Sequence, residues 1–165
     1  SADPERIRMA DRVVFPGQGE ASSTMEFLRN SRLDQVLLGL KQPFLGICLG
    51  LQILCTSSEE GNTKCLGLVD CRVRRFSQAR KIPQIGWNSI DDLSGPLFKG
   101  IRESEYFYFV HSYFAEESKA TVARCNYEGE VFSAALSKEN LYAVQFHPEK
   151  SGDAGEQVSR NFMEL

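Results

Sequence analysis

Histidine is nearly absent from this 165-residue chain: His111 and His147 are the only two. Its five cysteines (Cys48, Cys55, Cys65, Cys71 and Cys125) contain no C-x-x-C pair. The sequence therefore offers no ligand set with zinc-site spacing, and neither a metal nor a cofactor is expected. An odd number of scattered cysteines also excludes a fully paired disulfide framework and fits the reduced thiols of a cytoplasmic protein. There is no basic surplus: 19 Lys and Arg against 22 Asp and Glu leave a net charge of -3. That balance gives no electrostatic footprint for nucleic acid or an anionic membrane. No apolar run approaches the ~20 residues of a membrane-spanning helix. The opening Ser1-Ala2-Asp3-Pro4-Glu5 lacks the pattern of a signal peptide. What is present is ordinary globular composition, 42% apolar and 25% charged, in a length suited to one domain with its own core.

In the first half, apolar periodicity alternates between strand and helix. Residues 12–15 form a strand candidate closed by the turn Pro16-Gly17-Gln18-Gly19. Ser22 or Ser23 is placed to cap an amphipathic helix carrying Met25, Phe27 and Leu28, and 33–40 continues as a second helical stretch. Pro43 stops it. Residues 44–47 are then a short, continuously apolar strand of the kind buried on both faces of a parallel sheet. A helix is expected from Leu49 to about Ser57. The second half is richer in strands, with candidates at 68–76, 82–90, 106–115, 120–127, 131–136 and 142–146. Asn126-Tyr127-Glu128-Gly129 reads as a hairpin turn, and 155–165 as a helical tail. The pattern predicts an α/β fold whose central, mostly parallel sheet carries added antiparallel strands.

The chemistry centres on Gly46-Ile47-Cys48-Leu49-Gly50. A cysteine framed by glycines directly after an apolar strand is the thiol form of the G-x-S-x-G nucleophile elbow. A strand turning sharply into a helix there strains the backbone at Cys48 and lifts its sulfur to the strand tip. It also aims the Leu49 N–H at the position of an oxyanion. A buried structural cysteine is the plainer alternative. A nucleophilic thiol needs a base, and the base an orienting group. His147, at the end of the apolar segment 142–146, has Glu149 two residues on. In extended backbone the two side chains project to one side. Glu149 would then fix the imidazole tautomer, and the imidazolium would favour a Cys48 thiolate. Alone, His147 is a loop histidine among charged residues; paired with the elbow it becomes the base.

The turn at 16–19 also follows an apolar strand. If that strand lies parallel to 44–47, both turns reach the carboxyl edge of the sheet, where open α/β sheets bind ligands. N–H groups of Gln18 and Gly19 would then complete an oxyanion hole with Leu49. His111 lies in the aromatic segment Phe107-Tyr108-Phe109-Val110-His111 and reads as structural. Gln52, one turn after Cys48, is placed either to meet an amide-bearing substrate or to face solvent.

These residues resemble the class I, triad-type glutamine amidotransferases. Gly46-Ile47-Cys48-Leu49-Gly50-Leu51-Gln52 is similar to that family's G-x-C-x-G-x-Q motif, and Phe146-His147-Pro148-Glu149 to its His-Pro-Glu motif. Within the family, Lys81-Ile82-Pro83-Gln84-Ile85-Gly86-Trp87-Asn88 and the extension Lys150-Ser151-Gly152 resemble the glutaminase subunits of imidazole glycerol phosphate synthase. So do the 16–19 turn, Ser58-Glu59-Glu60-Gly61 and Val110-His111-Ser112-Tyr113. The similarity runs in order over nearly the whole chain.

The resemblance implies a three-layer fold and hydrolysis of glutamine to glutamate and ammonia. Cys48 would be the nucleophile, His147 the proton shuttle and Glu149 its orienter, with Leu49, Gln18 and Gly19 at the oxyanion. It further implies that Gln52, Glu60, Ser112 and Tyr113 hold the substrate's amino-acid end. Trp87, Asn88 and Lys150 would dock a (β/α)8-barrel cyclase subunit in a heterodimer, which uses the ammonia to make imidazole glycerol phosphate in histidine biosynthesis. Glutaminase subunits of anthranilate or carbamoyl phosphate synthesis are the enzymatic alternatives, and a non-catalytic regulatory relative is the third. Members of the family open with a strand, a Gly-rich turn and a helix that have no counterpart before Ser1. The single glutaminase domain over 1–165 is therefore expected to be N-terminally incomplete, and the loop 76–80 is short for the family.

Overall fold

The computed structural model describes all 165 residues. Helix α1 (Pro4–Met9) begins where Asp3 accepts the N–H groups of Glu5 and Arg6, with Pro4 at the first helical position. Strand β1 (Val13–Gly17) leads to α2 (Ala21–Asn30) and α3 (Leu33–Leu38). Strand β2 (Phe44–Cys48) runs straight into the single turn α4 (Leu49–Gln52). Short strands β3 (Ser57–Ser58) and β4 (Thr63–Lys64) flank a 3-10 turn. Then come β5 (Arg72–Arg75), β6 (Gln84–Ile90), β7 (Glu105–His111) and β8 (Tyr113–Ala115). Strands β9 (Thr121–Tyr127), β10 (Glu130–Lys138) and β11 (Leu141–Val144) precede helix α5 (Gly152–Met163).

The central sheet has the order β1-β2-β11-β10-β9. Its β1, β2 and β11 are parallel, while β10 and β9 are antiparallel additions. Strand β2 lies in the middle of the parallel part, which is why it is apolar at consecutive positions. Phe44 packs into one core with Met25, Leu28, Val36 and Leu51 of the helices α2, α3 and α4. Leu45, next in the chain, packs into the other with Phe107, Phe109, Phe132, Val158 and Phe162. Helices therefore cover one face, and α5 with the β6–β7 hairpin covers the other, giving three layers. No helix is long and apolar enough to cross a membrane.

Where elements depart from the sequence reading, tertiary hydrogen bonds explain why. Helix α4 stops at Gln52 instead of reaching Ser57. The carbonyls of Ile53, Leu54 and Cys55 accept from Leu66, Val69 and Gly67 rather than continuing the helix. The same bonds occupy 66–69, so the strand expected over 68–76 begins only at Arg72. The segment 106–115 breaks at Ser112 because β7 pairs with β6 whereas β8 pairs with β5 in a separate sheet. Neither Ser22 nor Ser23 caps α2: its N-cap is Glu20, and the Ala21 N–H is satisfied by Glu60 at 2.8 Å. The hairpin turn does form between β9 and β10, with Glu128 and Gly129 both at positive φ.

Candidate active site

Cys48 ends β2 with φ 53° and ψ -106°, a region that a cysteine rarely occupies. The tight packing of its neighbours holds it there. In the parallel register Gly17 sits opposite Cys48. A Cβ on Gly17 would lie 2.5 Å from the Gly50 nitrogen, and one on Gly50 would lie 2.3 Å from the Phe15 carbonyl oxygen. A Cβ on Gly46 would come within 2.5 Å of the Gly50 oxygen. Backbone thus packs on backbone at three points, and the turns at 16–19 and 48–50 meet at the carboxyl edge of the sheet.

The Cys48 thiol donates to the Val110 carbonyl at 3.7 Å, and the Gln145 amide donates to the sulfur at 3.6 Å. Burial pushes this thiol up to about 11, against the Leu49 N–H and the Gln145 amide, which both act to lower it. No hydrogen bond joins the sulfur to His147. The half-buried thiol faces a backbone acceptor rather than the imidazole expected to favour its thiolate.

His147 is held from both ends of its backbone. Its N–H donates to the Tyr108 carbonyl at 2.9 Å, and its carbonyl accepts from Ser151 Oγ at 2.6 Å. Ser151 Oγ in turn accepts the Tyr108 N–H at 3.0 Å, so one buried hydroxyl clasps the histidine loop to β7. The ring's Nδ1 lies 2.9 Å from Glu149 Oε1, which fixes Nδ1 as the protonated nitrogen and turns Nε2 outward. Extended backbone is not what pairs them. Residues Pro148–Lys150 form a 3-10 turn, with His147 just before it, and that turn brings the carboxylate back to the imidazole.

A cleft of about 300 Å³ opens between these elements, and Cys48 and His147 both line it. The three candidate oxyanion residues Gln18, Gly19 and Leu49 border the same space, as do Gln52, Glu60, Ser112, Tyr113 and Lys150. Two of these are already engaged. Gln52 is buried, not solvent-facing, and its Nε2 donates to the Tyr113 carbonyl at 2.8 Å and to Gln145 Oε1 at 3.2 Å. One Glu60 oxygen caps α2, which leaves the other for the cleft. His111 is a buried core residue that forms part of the cleft wall. Its Nδ1 lies 2.8 Å from the Tyr113 carbonyl, its Nε2 lies 2.9 Å from Gln84 Oε1, and burial pushes it down to about 4.

Trp87 is 55% exposed and stands edge-on to Tyr108 at 6.0 Å, with Lys150 Nζ 5.9 Å from the centre of the same Tyr108 ring. Asn88 does not join them: as the next residue along β6 it points to the other side and donates to the Asn126 carbonyl. Gln145 and Ser151 are the two residues whose importance the sequence reading missed. Gln145 carried a signal, as the one amide in the otherwise apolar segment 142–146.

The family model described as glutamine amidotransferase class-I matches residues 2–165. The HisH subunit of imidazole glycerol phosphate synthase from Bacteroides fragilis is 51% identical over all of this chain and 85% of its own length. The HisH subunit from Bacteroides thetaiotaomicron is 48% identical over the same shares. A crystal structure of a glutamine amidotransferase superposes with a TM-score of 0.75 at 17% identity, covering 99% of this chain and 83% of that one. With a strained cysteine elbow and a carboxylate-held histidine in one cleft, the chain belongs to the class I glutamine amidotransferases, as a HisH subunit of imidazole glycerol phosphate synthase.

Proposed function

We propose that this glutaminase works through Cys48, His147 and Glu149, and that its ammonia passes directly to a (β/α)8-barrel cyclase subunit in a heterodimer. The observation that carries the site assignment is the strained elbow at Cys48 sharing a cleft with a histidine whose Nδ1 is held by Glu149. The Cys48 sulfur attacks the side-chain amide carbon of glutamine while its proton passes to His147 Nε2. With the thiol pushed up to about 11, little thiolate exists beforehand, so proton transfer accompanies attack. The tetrahedral oxyanion is met by the Leu49 N–H and by N–H groups of Gln18 and Gly19, each such donor being worth about 10²–10³ in turnover. His147 returns the proton to the departing nitrogen, releasing ammonia and leaving a γ-glutamyl thioester. Water, deprotonated by His147, then attacks the thioester carbon, and glutamate leaves as the thiol is restored. Glu149 stabilises the imidazolium at each stage.

The substrate's amino-acid end fits the polar side of the cleft. The free oxygen of Glu60 suits the ammonium group, and backbone N–H groups near Ser112 and Tyr113 suit the carboxylate. Gln52 borders that side but also braces the site through Gln145. The exposed Trp87, beside Tyr108 and with Lys150 of the cleft wall over the same ring, offers an apolar and cationic face for the cyclase. Asn88 supports that face from behind by holding the β9–β10 hairpin. A cytoplasmic setting suits the five free thiols.

The test is glutamate release by Cys48→Ala in the presence of the cyclase subunit and its nucleotide ligand. Release should vanish in the variant, and the cyclase should stimulate the unsubstituted protein. Undiminished release from Cys48→Ala would overturn the nucleophile. Stimulation by an anthranilate synthase partner instead of the cyclase would overturn the pathway.

A further inference from the structure

Gln145 is fully buried, directly after β11, with its backbone N–H bonded to the Ala134 carbonyl at 2.8 Å. Its side chain belongs to a short relay whose polarity is fixed at one end. The Tyr113 carbonyl can only accept, so the Gln52 group 2.8 Å from it must be the NH2. The second hydrogen of that NH2 points to Gln145 at 3.2 Å and requires the Gln145 amide oxygen there. The Gln145 NH2 is thereby left facing the Cys48 sulfur at 3.6 Å. A buried amide free to turn could present either end to the sulfur; this one cannot.

We propose that Gln145, oriented by Gln52, is a built-in donor to the Cys48 sulfur that favours the thiolate as it forms, and that this is why an amide occupies an otherwise apolar strand exit. The surroundings make such a donor consequential. Burial and the carboxylates of Glu149 and Glu60 all oppose negative charge on the sulfur, and the Val110 carbonyl stabilises the protonated form. The other titratable groups lining the cleft, His147, His111, Tyr113 and Lys150, make no hydrogen bond to the sulfur. Only the Leu49 N–H and the Gln145 NH2 act in favour of thiolate, and Leu49 is also committed to the oxyanion. The inference rests on Cys48 being the nucleophile.

The test is the rate of iodoacetamide alkylation at Cys48 as a function of pH, read by peptide mass spectrometry on the intact chain. The other four cysteines are buried, so the Cys48 peptide reports alone. In Gln145→Met, which fills a similar volume without a donor, the midpoint of the profile should rise by about one pH unit. Tenfold less thiolate, offset about threefold by its greater intrinsic nucleophilicity, should slow alkylation near neutral pH about threefold. A uniform slowing at every pH with an unmoved midpoint would assign Gln145 to packing and overturn the proposal, as would an unchanged profile. If Gln145→Met does not fold, Gln52→Met replaces it. Without the Gln52 NH2 nothing holds the Gln145 oxygen away from the sulfur, so the same upward displacement is expected and its absence is equally fatal. The readout needs no glutamine turnover, so it stands apart from the Cys48→Ala test.

Discussion

At Cys48 two demands oppose each other. The sulfur must reach the cleft to attack, yet the shelter of the strand end pushes its titration up to about 11. The resting site answers with donors rather than with charge: the Leu49 N–H and the Gln145 NH2. In the proposed mechanism the carboxylate behind the imidazole matters more than its 55% side-chain exposure suggests, because it would stabilise a cation formed only during reaction. Glu149→Gln should keep the Nδ1 hydrogen bond but lose that charge, lowering kcat by about tenfold to a hundredfold with KM for glutamine little changed. His147→Ala should cost more, about 10²–10⁴ in kcat. Steady-state glutaminase kinetics of the two variants with the cyclase present would check that order. The proposed triad Cys48, His147 and Glu149 could be singled out from the sequence, since each sits in a short motif. Gln145 and Ser151 were not singled out, because their partners Gln52, Tyr108 and Cys48 lie far away along the chain.

At the scale of elements, the elbow depends on bare backbone where β1 and β2 end together. A methyl group on Gly50 would overlap the Phe15 carbonyl, and β1 cannot retreat without giving up its ladder with β2. Gly50→Ala should therefore destabilise the fold by about 1–3 kcal/mol, lowering the melting temperature by about 2–4 °C for each kcal/mol. Scanning calorimetry would measure it. Glu60 spans stability and binding. Glu60→Ala removes the carboxylate bonded to the Ala21 N–H and should cost about 0.5–2 kcal/mol, as for loss of a helix cap, and it should raise KM for glutamine as well. Denaturant titration beside kinetics separates the two effects. The short apolar run of β2 and, from residue 155 onward, the helical tail α5 could be read from the sequence. The end of α4, the start of β5 and the cap of α2 could not, since each is decided by hydrogen bonds to residues distant in sequence.

At the scale of the whole molecule, His111 ties the aromatic core to the floor of the site. Burial holds it neutral down to about 4, against an ordinary value of 6.5. Between those values the unfolded chain takes up a proton that the folded chain refuses. Stability is therefore full above about 6.5 and declines as pH falls toward 4, by on the order of 3 kcal/mol from this one group. Urea unfolding at pH 7 and pH 4.5 should show the decline, and His111→Gln should reduce it. The three-layer architecture was implied by the family resemblance, whereas the parallel half of the sheet and the meeting of the two turns at its carboxyl edge followed from apolar runs and glycine placement. Where Trp87 would point did not, because a lone tryptophan fits a core as well as a surface. Its exposure beside Tyr108 and Lys150 is what gives the proposed cyclase face a location.

The central claim is that a γ-glutamyl group passes through the Cys48 sulfur. Rapid acid quenching of the protein turning over glutamine with the cyclase and its nucleotide, followed by peptide mass spectrometry, tests this directly. A γ-glutamyl adduct on the peptide carrying Cys48, absent from Cys48→Ala, is the predicted result. An adduct on any other residue, or glutamate release at full rate from Cys48→Ala, would contradict it.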